Sequence, residues 1–335
     1  MKRLRIGAVS LLAAALGGCS AGSPGDGDHG PYKGPIIDMH LHAFPANGNG
    51  PAPNAICVGV AADLKYDPAA PWPVVFGGML QNPGCDNPIP GPATDDEVRD
   101  QTIAAMRRLN VTGVLSGSPE DVAAWRAHAP DLFIAGRGVS LLRDDISAEQ
   151  LENEFLGGGF EVLAEVTNQY RGVLADDERF DPYWRIAAER DIPVGIHLGV
   201  GPPGMPMLDD QFRIQTPLRM EPVLNRYQTL RVYLMHAGFP FTDDLKAMLY
   251  VYPQLYVDTG VLQVAAPREE YHAFLEELVR AGFGDRIMFG SDQMNWPGLI
   301  EEGVNAINDA PFLTYEQKKD ILHDNAARFL RLEEG

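Results

Sequence analysis

The run Asp38-Met39-His40-Leu41-His42 places two histidines two residues apart at the end of an apolar stretch that begins at Ile36. Residues i and i+2 of a strand share a face, so both imidazoles can address one point. Two neutral imidazoles held this way supply half the donors of a four- or five-coordinate metal site. Other polar residues close later apolar runs: Glu165 after Val162-Leu163-Ala164, His197 after Val194-Gly195-Ile196, and His236 after Tyr233-Leu234-Met235. Asp258 and Asp292 follow in the same manner, and the steps from Glu165 onward are 32, 39, 22 and 34 residues. Each step is close to one strand-plus-helix unit. Buried ionisable groups are costly without partners, and a divalent cation satisfies many histidines and carboxylates at once. A lone strand-end histidine is more often structural, but four of them in register with carboxylates argue for metal binding.

Such a site needs strands that end together. Short apolar runs at residues 36–40, 111–115, 132–139, 160–166, 194–198, 232–236, 255–258 and 287–290 read as buried parallel strands. Helical patterns lie between them. Thr94-Asp95-Asp96-Glu97 has the form of a capping box opening a helix to about residue 109. Ser118-Pro119 opens another, with proline tolerated in the first turn. Further helices are predicted over 147–156, 182–190, 218–227, 243–250 and 269–281. Eight strands alternating with helices favour an α/β fold of the (β/α)8 TIM-barrel type over 35–335, with a doubly wound open sheet as the alternative. Residues 43–93 form a long, proline-rich insertion after strand 1, without clear periodicity.

The chain opens with Lys2, Arg3 and Arg5, an apolar run from Ile6 to Leu16, and then Gly17-Gly18-Cys19. A basic start, a short apolar run and small residues before a cut read as a secretory signal over 1–18. The run is too short to span a bilayer. Leu16-Gly17-Gly18-Cys19 resembles the lipobox of bacterial lipoproteins, which implies lipidation of Cys19; the alternative is an ordinary signal in which Cys19 is incidental. The resemblance, with Ser20 after the cysteine, implies attachment at the periplasmic face of the outer membrane. Residues 19–34, rich in Gly, Ser, Pro and Asp, read as a flexible tether. The formal net charge is −19, and without the three basic residues of 1–18 it becomes −22. That excludes nucleic acid as a natural partner, since phosphates need Lys and Arg. Cys57 and Cys85, 28 residues apart, are candidates for a disulfide in an exported protein, or else a pair of free thiols.

With His40-x-His42, the fifth- and sixth-strand His197 and His236 and the eighth-strand Asp292 in place, the chain resembles the amidohydrolase superfamily. Phe289-Gly290-Ser291-Asp292 and the tail Asn325-Ala326-Ala327-Arg328-Phe329 are similar to its amidohydrolase-related branch of metal-dependent hydrolases and non-oxidative decarboxylases. By position, the resemblance implies that His40, His42, His197 and Asp292 hold one divalent metal, zinc being the expected ion. It sets His236 beside them, either polarising the substrate or binding a second ion. Glu165 stands where many relatives carry a bridging carboxylate and single-metal relatives have no ligand. Asp292 is expected to double as general base and His236 to stabilise a developing oxyanion.

Arg137, at the end of the third strand, is a candidate for a substrate carboxylate or for an ion pair in the barrel mouth. Tyr170 and Arg171 are candidate lining residues, and Asp258 either orients a ligating histidine or caps the next turn. His128, His272 and His323 are expected to be solvated and His29 to lie in the tether. Gly199-Val200-Gly201-Pro202-Pro203-Gly204 matches a dinucleotide fingerprint, but its prolines oppose the helix that such a site requires. The leading function is hydrolysis of a small ester, lactone or amide by an activated water, with decarboxylation of a small acid as the alternative. A non-catalytic anchored binding protein is a third reading, disfavoured by the retention of His40, His42 and Asp292. A small-molecule substrate is implied, and a homo-oligomer is left open.

Overall fold

β-Strands form where the apolar runs are short and buried on both faces. The computed structural model of the chain describes residues 28–60, 64–140, 144, 146–199, 201–204 and 214–332. Among these, the strands relevant to the site are β1 (Ile36–His42), β2 (Val111–Ser116), β3 (Phe133–Ala135), β4 (Leu163–Val166), β5 (Val194–His197), β6 (Val232–Met235), β7 (Leu255–Asp258) and β8 (Ile287–Met288). β1, β2 and β3 pair in parallel, and so do β4 through β8 in sequence order. Parallel bridges from Gly136 to Val162 and from Val139 to Val166 join β3 to β4. The Met39 N–H donates to the Phe289 carbonyl (2.9 Å) and the Asp292 N–H to the His40 carbonyl (2.8 Å), joining β8 to β1. The ring is therefore closed, a (β/α)8 barrel rather than an open sheet.

Two hydrophobic layers follow from closure. Ile37, Met39, Val114, Val162 and Tyr233 cluster together although they come from strands that are not all neighbours, so they meet across the interior. Ala326 and Phe329 of the C-terminal helix Asn325–Leu330 belong to the same cluster. A larger layer, including Met106, Trp125, Phe274 and Ile300, packs the helices onto the outside. The expected capping box is present, with the Thr94 hydroxyl accepting from the Glu97 N–H at the start of Asp95–Leu109. Ser118 and Ser147 cap Pro119–His128 and Ala148–Leu156.

Three expectations need correction. First, the 43–93 segment is not structureless: it carries a helix, Trp72–Gln81, and pairs Ala55–Ile56 with Ile89–Pro90. The helix escaped the pattern because only Trp72 and Leu80 of its residues are buried and Gly77-Gly78 interrupts it. Ile56, Val60 and Leu80 pack on Val264, Trp296 and Leu299, which follow β7 and β8, so the insertion sits on the loops at the strand C-termini. Second, residues 28–34 are docked rather than a tether. The Tyr32 N–H donates to Asn308 Oδ1 (2.8 Å), Lys318 Nζ donates to the His29 carbonyl (2.6 Å), and His29 Nδ1 lies 2.9 Å from the Leu313 carbonyl. Tyr32 itself is buried. Third, His272 is half-buried, with Nε2 donating to the Ala306 carbonyl (2.8 Å). Residues 1–18 and Cys19 lie outside the described residues, among which no helix is long and apolar enough to cross a membrane.

Cys57 and Cys85 form a disulfide with a Cα–Cα distance of 6.0 Å and a separation of 28 residues. In the chain-entropy model, a loop of this size is worth on the order of 3 kcal/mol. Replacing both cysteines with serine should therefore lower the thermal midpoint by several degrees in calorimetry. An unchanged midpoint would show that the insertion is held by its packing alone.

Candidate metal centre

The polar strand ends converge at one end of the barrel. β1 carries one residue more than β2 between Asp38 and Leu41, where the register shifts. Such bulges re-aim side chains, and here His40 Nε2 and His42 Nε2 lie 3.1 Å apart. His197 Nδ1 and His236 Nε2 lie 3.0 Å apart. Two nitrogens that each ligate one ion at about 2.0–2.1 Å are about 2.9–3.4 Å from each other, so both spacings match an edge of a coordination polyhedron. Asp292 Oδ1 is 3.1 Å from His42 Nε2 and 3.8 Å from His40 Nε2. Glu165 reaches both pairs, with Oε1 2.6 Å from His197 Nδ1 and Oε2 3.7 Å from His42 Nε2.

The donor atoms form three groups that could hold a metal ion: His40, His42 and Glu165; His40, His236 and Asp292; and Glu165, His197 and His236. This differs from the expected set of His40, His42, His197 and Asp292 around one ion. His197 turns toward Glu165 and His236, because β5 and β6 are neighbours and Glu165 on β4 lies on the other side of His197.

The ring orientations are fixed from behind. His40 Nδ1 donates to Asp258 Oδ2 (3.0 Å) and His236 Nδ1 to the Gly260 carbonyl (2.9 Å). Both partners only accept, so each Nδ1 carries the proton and each Nε2 keeps its lone pair when the ring is neutral. Asp258 also accepts from the backbone N–H groups of His236 and Gly260, so it serves both expected roles at once. Asp292 has φ 48° and His236 φ 64°. Non-glycine residues held in the left-handed region cluster at functional sites. Here those turns direct Asp292 and His236 into the site just past their strands.

The electrostatics are those of a site short of positive charge. Among the described residues, no Lys or Arg pairs with Glu165, Asp258 or Asp292; their ion-pair partners are histidines. Burial opposes the charge of His40, but the Asp258 and Asp292 carboxylates overcome it and push the ring up to about 10. Burial likewise opposes ionisation of Asp292, yet His40 and His42 bring it down to about 2. Glu165 is held well below the usual range, His197 and His42 outweighing its desolvation. Burial and the neighbouring His236 push His197 down to about 4. Glu165 and Asp292 are thus ionised and the centre attracts a cation.

Of the remaining candidates, Tyr170 lies in the site, its hydroxyl 3.0 Å from His197 Nδ1. Arg137 does not: it is buried against Glu154 (2.7 Å) and the Phe160 ring, outside the barrel mouth. The chain has left β3 at Ala135, and the guanidinium follows the helix Ala148–Leu156 instead of the interior. The side chain of Arg171 lies outside the described residues. A hollow of about 280 Å3 lined by Ile134, Phe160, Pro193 and Arg231 is near the strand N-termini and contains none of the site residues. Sequence reasoning gave no role to Asp38, which accepts from the His40 and Ser291 N–H groups and is pushed up to about 7 by burial. It also missed Gln293, whose amide bonds the His42 backbone. Asp38 stands within the Asp-x-His-x-His run and was visible there; a glutamine after an aspartate carries no signal.

The chain belongs to the amidohydrolase family, whose model, described as Amidohydrolase, matches residues 37–332. It is similar to solved structures of a TIM-barrel protein from Bordetella bronchiseptica (20% identity, TM-score 0.59, covering 88% of this chain and 98% of that one). It is also similar to a probable 2-pyrone-4,6-dicarboxylic acid hydrolase from Acinetobacter baumannii with citric acid bound (15%, 0.56, 89% and 99%). A 5-carboxyvanillate decarboxylase from Novosphingobium aromaticivorans, complexed with manganese and a nitrobenzoic acid, is comparable (16%, 0.56, 91% and 99%). At these identities the likeness establishes the fold alone. Protein fluG of Emericella nidulans is 22% identical over 137 residues, which is 40% of this chain and 15% of that protein.

Asp258→Asn preserves shape but weakens the acceptor behind His40. It should lower divalent-metal affinity about 10–100-fold in equilibrium dialysis. Unchanged affinity would show that Asp258 serves only the turn after β7.

Proposed function

We propose that the chain is a metal-dependent hydrolase that opens a small ester, lactone or amide, in which His40, His42, Glu165, His197, His236 and Asp292 would hold two divalent ions, zinc by donor type. The observation that carries this reading is that Glu165 belongs to two donor groups, one with His40 and His42 and one with His197 and His236, while His40, His236 and Asp292 form a third. When bound, such ions polarise a substrate carbonyl and bring the pKa of water toward about 7.

The chain's own residues supply the rest. Asp292, an ionised carboxylate with only 8% of its side chain exposed, accepts a proton at Oδ2 from the attacking water and returns it to the leaving group. His236, expected to steady a developing oxyanion, has its Nδ1 proton committed to the Gly260 carbonyl (2.9 Å) and would instead hold an ion through Nε2. His40, His42 and His197 move no proton. The insertion, seated on the loops after β7 and β8, narrows access at the strand ends.

Decarboxylation is the second reading, favoured by the like fold of a manganese-bound decarboxylase. It calls for a cation on the substrate carboxylate, which the same ions would supply, so the donor set serves both readings and Arg137, paired with Glu154, is not needed for either. Acid release rather than carbon dioxide release, on a panel of lactones, esters and hydroxybenzoates, distinguishes the two. We also place the mature chain at the envelope, lipidated at Cys19.

Asp292→Asn should lose about 10²-fold or more in turnover while retaining more metal than His40→Ala. A near-wild-type Asp292→Asn enzyme would overturn the proton-transfer role. Cys19→Ser should move the protein from the membrane to the soluble fraction, and persistence in the membrane would refute lipid anchoring.

A further inference from the structure

His40 and His236 each have an Nδ1 fixed by a partner. His42 does not: among the described residues no group bonds its Nδ1, and with 15% of its side chain exposed it is the most exposed of the four histidines. Its Nε2 meets Asp292 and its ring meets the Phe44 edge, and the support that an Nδ1 partner gives the other rings falls to its backbone. On one side that backbone is secure, because the Ala43 N–H donates to the Ser116 carbonyl of β2 (2.9 Å). Alternation along a strand turns the His42 N–H the other way, toward β8.

There β8 has no backbone to offer. Its chain bonds β1 through Phe289 and Asp292 and then turns away through left-handed residues at Asp292 (φ 48°) and Met294 (φ 46°). The turn that brings the Asp292 carboxylate to the site removes the next rung of the ladder. Between those two residues stands Gln293, fully buried. The His42 N–H donates to Gln293 Oε1 (3.0 Å), and Gln293 Nε2 donates to the His42 carbonyl (2.6 Å). The side-chain amide stands where a peptide group of β8 would stand and satisfies both backbone groups of His42.

We infer that Gln293 is a positioning residue: its amide replaces the missing rung of β8 and fixes the backbone of His42, and so the direction of a ring whose Nδ1 has no partner among the described residues. Residues behind a ligand typically change metal affinity by about 10–100-fold when removed. The inference rests on the two-ion reading above, and the test separates the two.

The test is Co2+ titration of the full mature chain against a competing chelator, with the visible spectrum of the Co2+-loaded protein recorded in parallel. Wild type should take up two ions. Gln293→Met, of similar length but without the amide, should bind one of them about 10–100-fold more weakly, with an altered spectrum, while the other ion keeps its affinity. Gln293→Glu keeps an acceptor for the His42 N–H and loses the donor; it should give a smaller loss of the same ion, and it carries the test if Gln293→Met does not fold. Asn295→Ser is the control. Asn295 is equally buried in the same loop, but its bonds go to Asn49 and Asn54 of the insertion. That variant should match wild type in affinity and spectrum even where its melting point falls. Wild-type affinity and spectrum in both Gln293 variants, or an equal loss in Asn295→Ser, overturns the positioning role. A wild-type chain that takes up no Co2+ overturns the two-ion reading, and the positioning role falls with it.

Discussion

Ionised carboxylates buried together must be given positive charge, and in this barrel no lysine or arginine among the described residues supplies it to Glu165 or Asp292. Four imidazoles surround them instead, two of which share a 3.1 Å contact and two a 3.0 Å contact. Desolvated charge is expensive, and protonated histidines meet the requirement only in part, since His197 is driven down to about 4. A divalent cation meets it fully. The closed ring, the strand lengths and the turns after β6 and β8 serve the placement of these donors.

The supporting layer is built economically. One carboxylate, Asp258, holds the His40 ring and also accepts from the backbone N–H groups of His236 and Gly260. Asp38 ties the His40 and Ser291 backbones together across the seam between β1 and β8. The same seam receives Gln293, and beyond it Asn295 fastens the insertion through Asn49 and Asn54. The disulfide lies within that insertion, next to its short antiparallel pairing. The segment longest in sequence and poorest in pattern is thus attached to the loop that carries Asp292.

The barrel was legible because buried parallel strands are short apolar runs, and the site because its donors end those runs. β7 matches its predicted span, and the capping box at Thr94 opens its helix as predicted. What escaped depends on the third dimension. Arg137 lies just past β3, and only the path of the chain after Ala135 decides whether its side chain faces the mouth or the outside. Tyr32 sits in a polar, glycine-rich stretch, and its burial depends on a surface formed by residues 308–318. The grouping of His197 with Glu165 and His236 follows from which strands are neighbours, which spacing alone does not give. Gln293 acts through an amide that mimics backbone, a role with no signature in sequence.

The central claim is a two-ion centre that Glu165 would help to hold from two donor groups, and metal counting tests it most directly. Purified mature protein, reconstituted with zinc and freed of loose metal, should contain two ions per chain by elemental analysis. Glu165→Ala should hold fewer than two, because two of the three donor groups lose Glu165 while His40, His236 and Asp292 stay together. A wild-type chain that holds a single ion, at a content unchanged in Glu165→Ala, would contradict the two-ion centre.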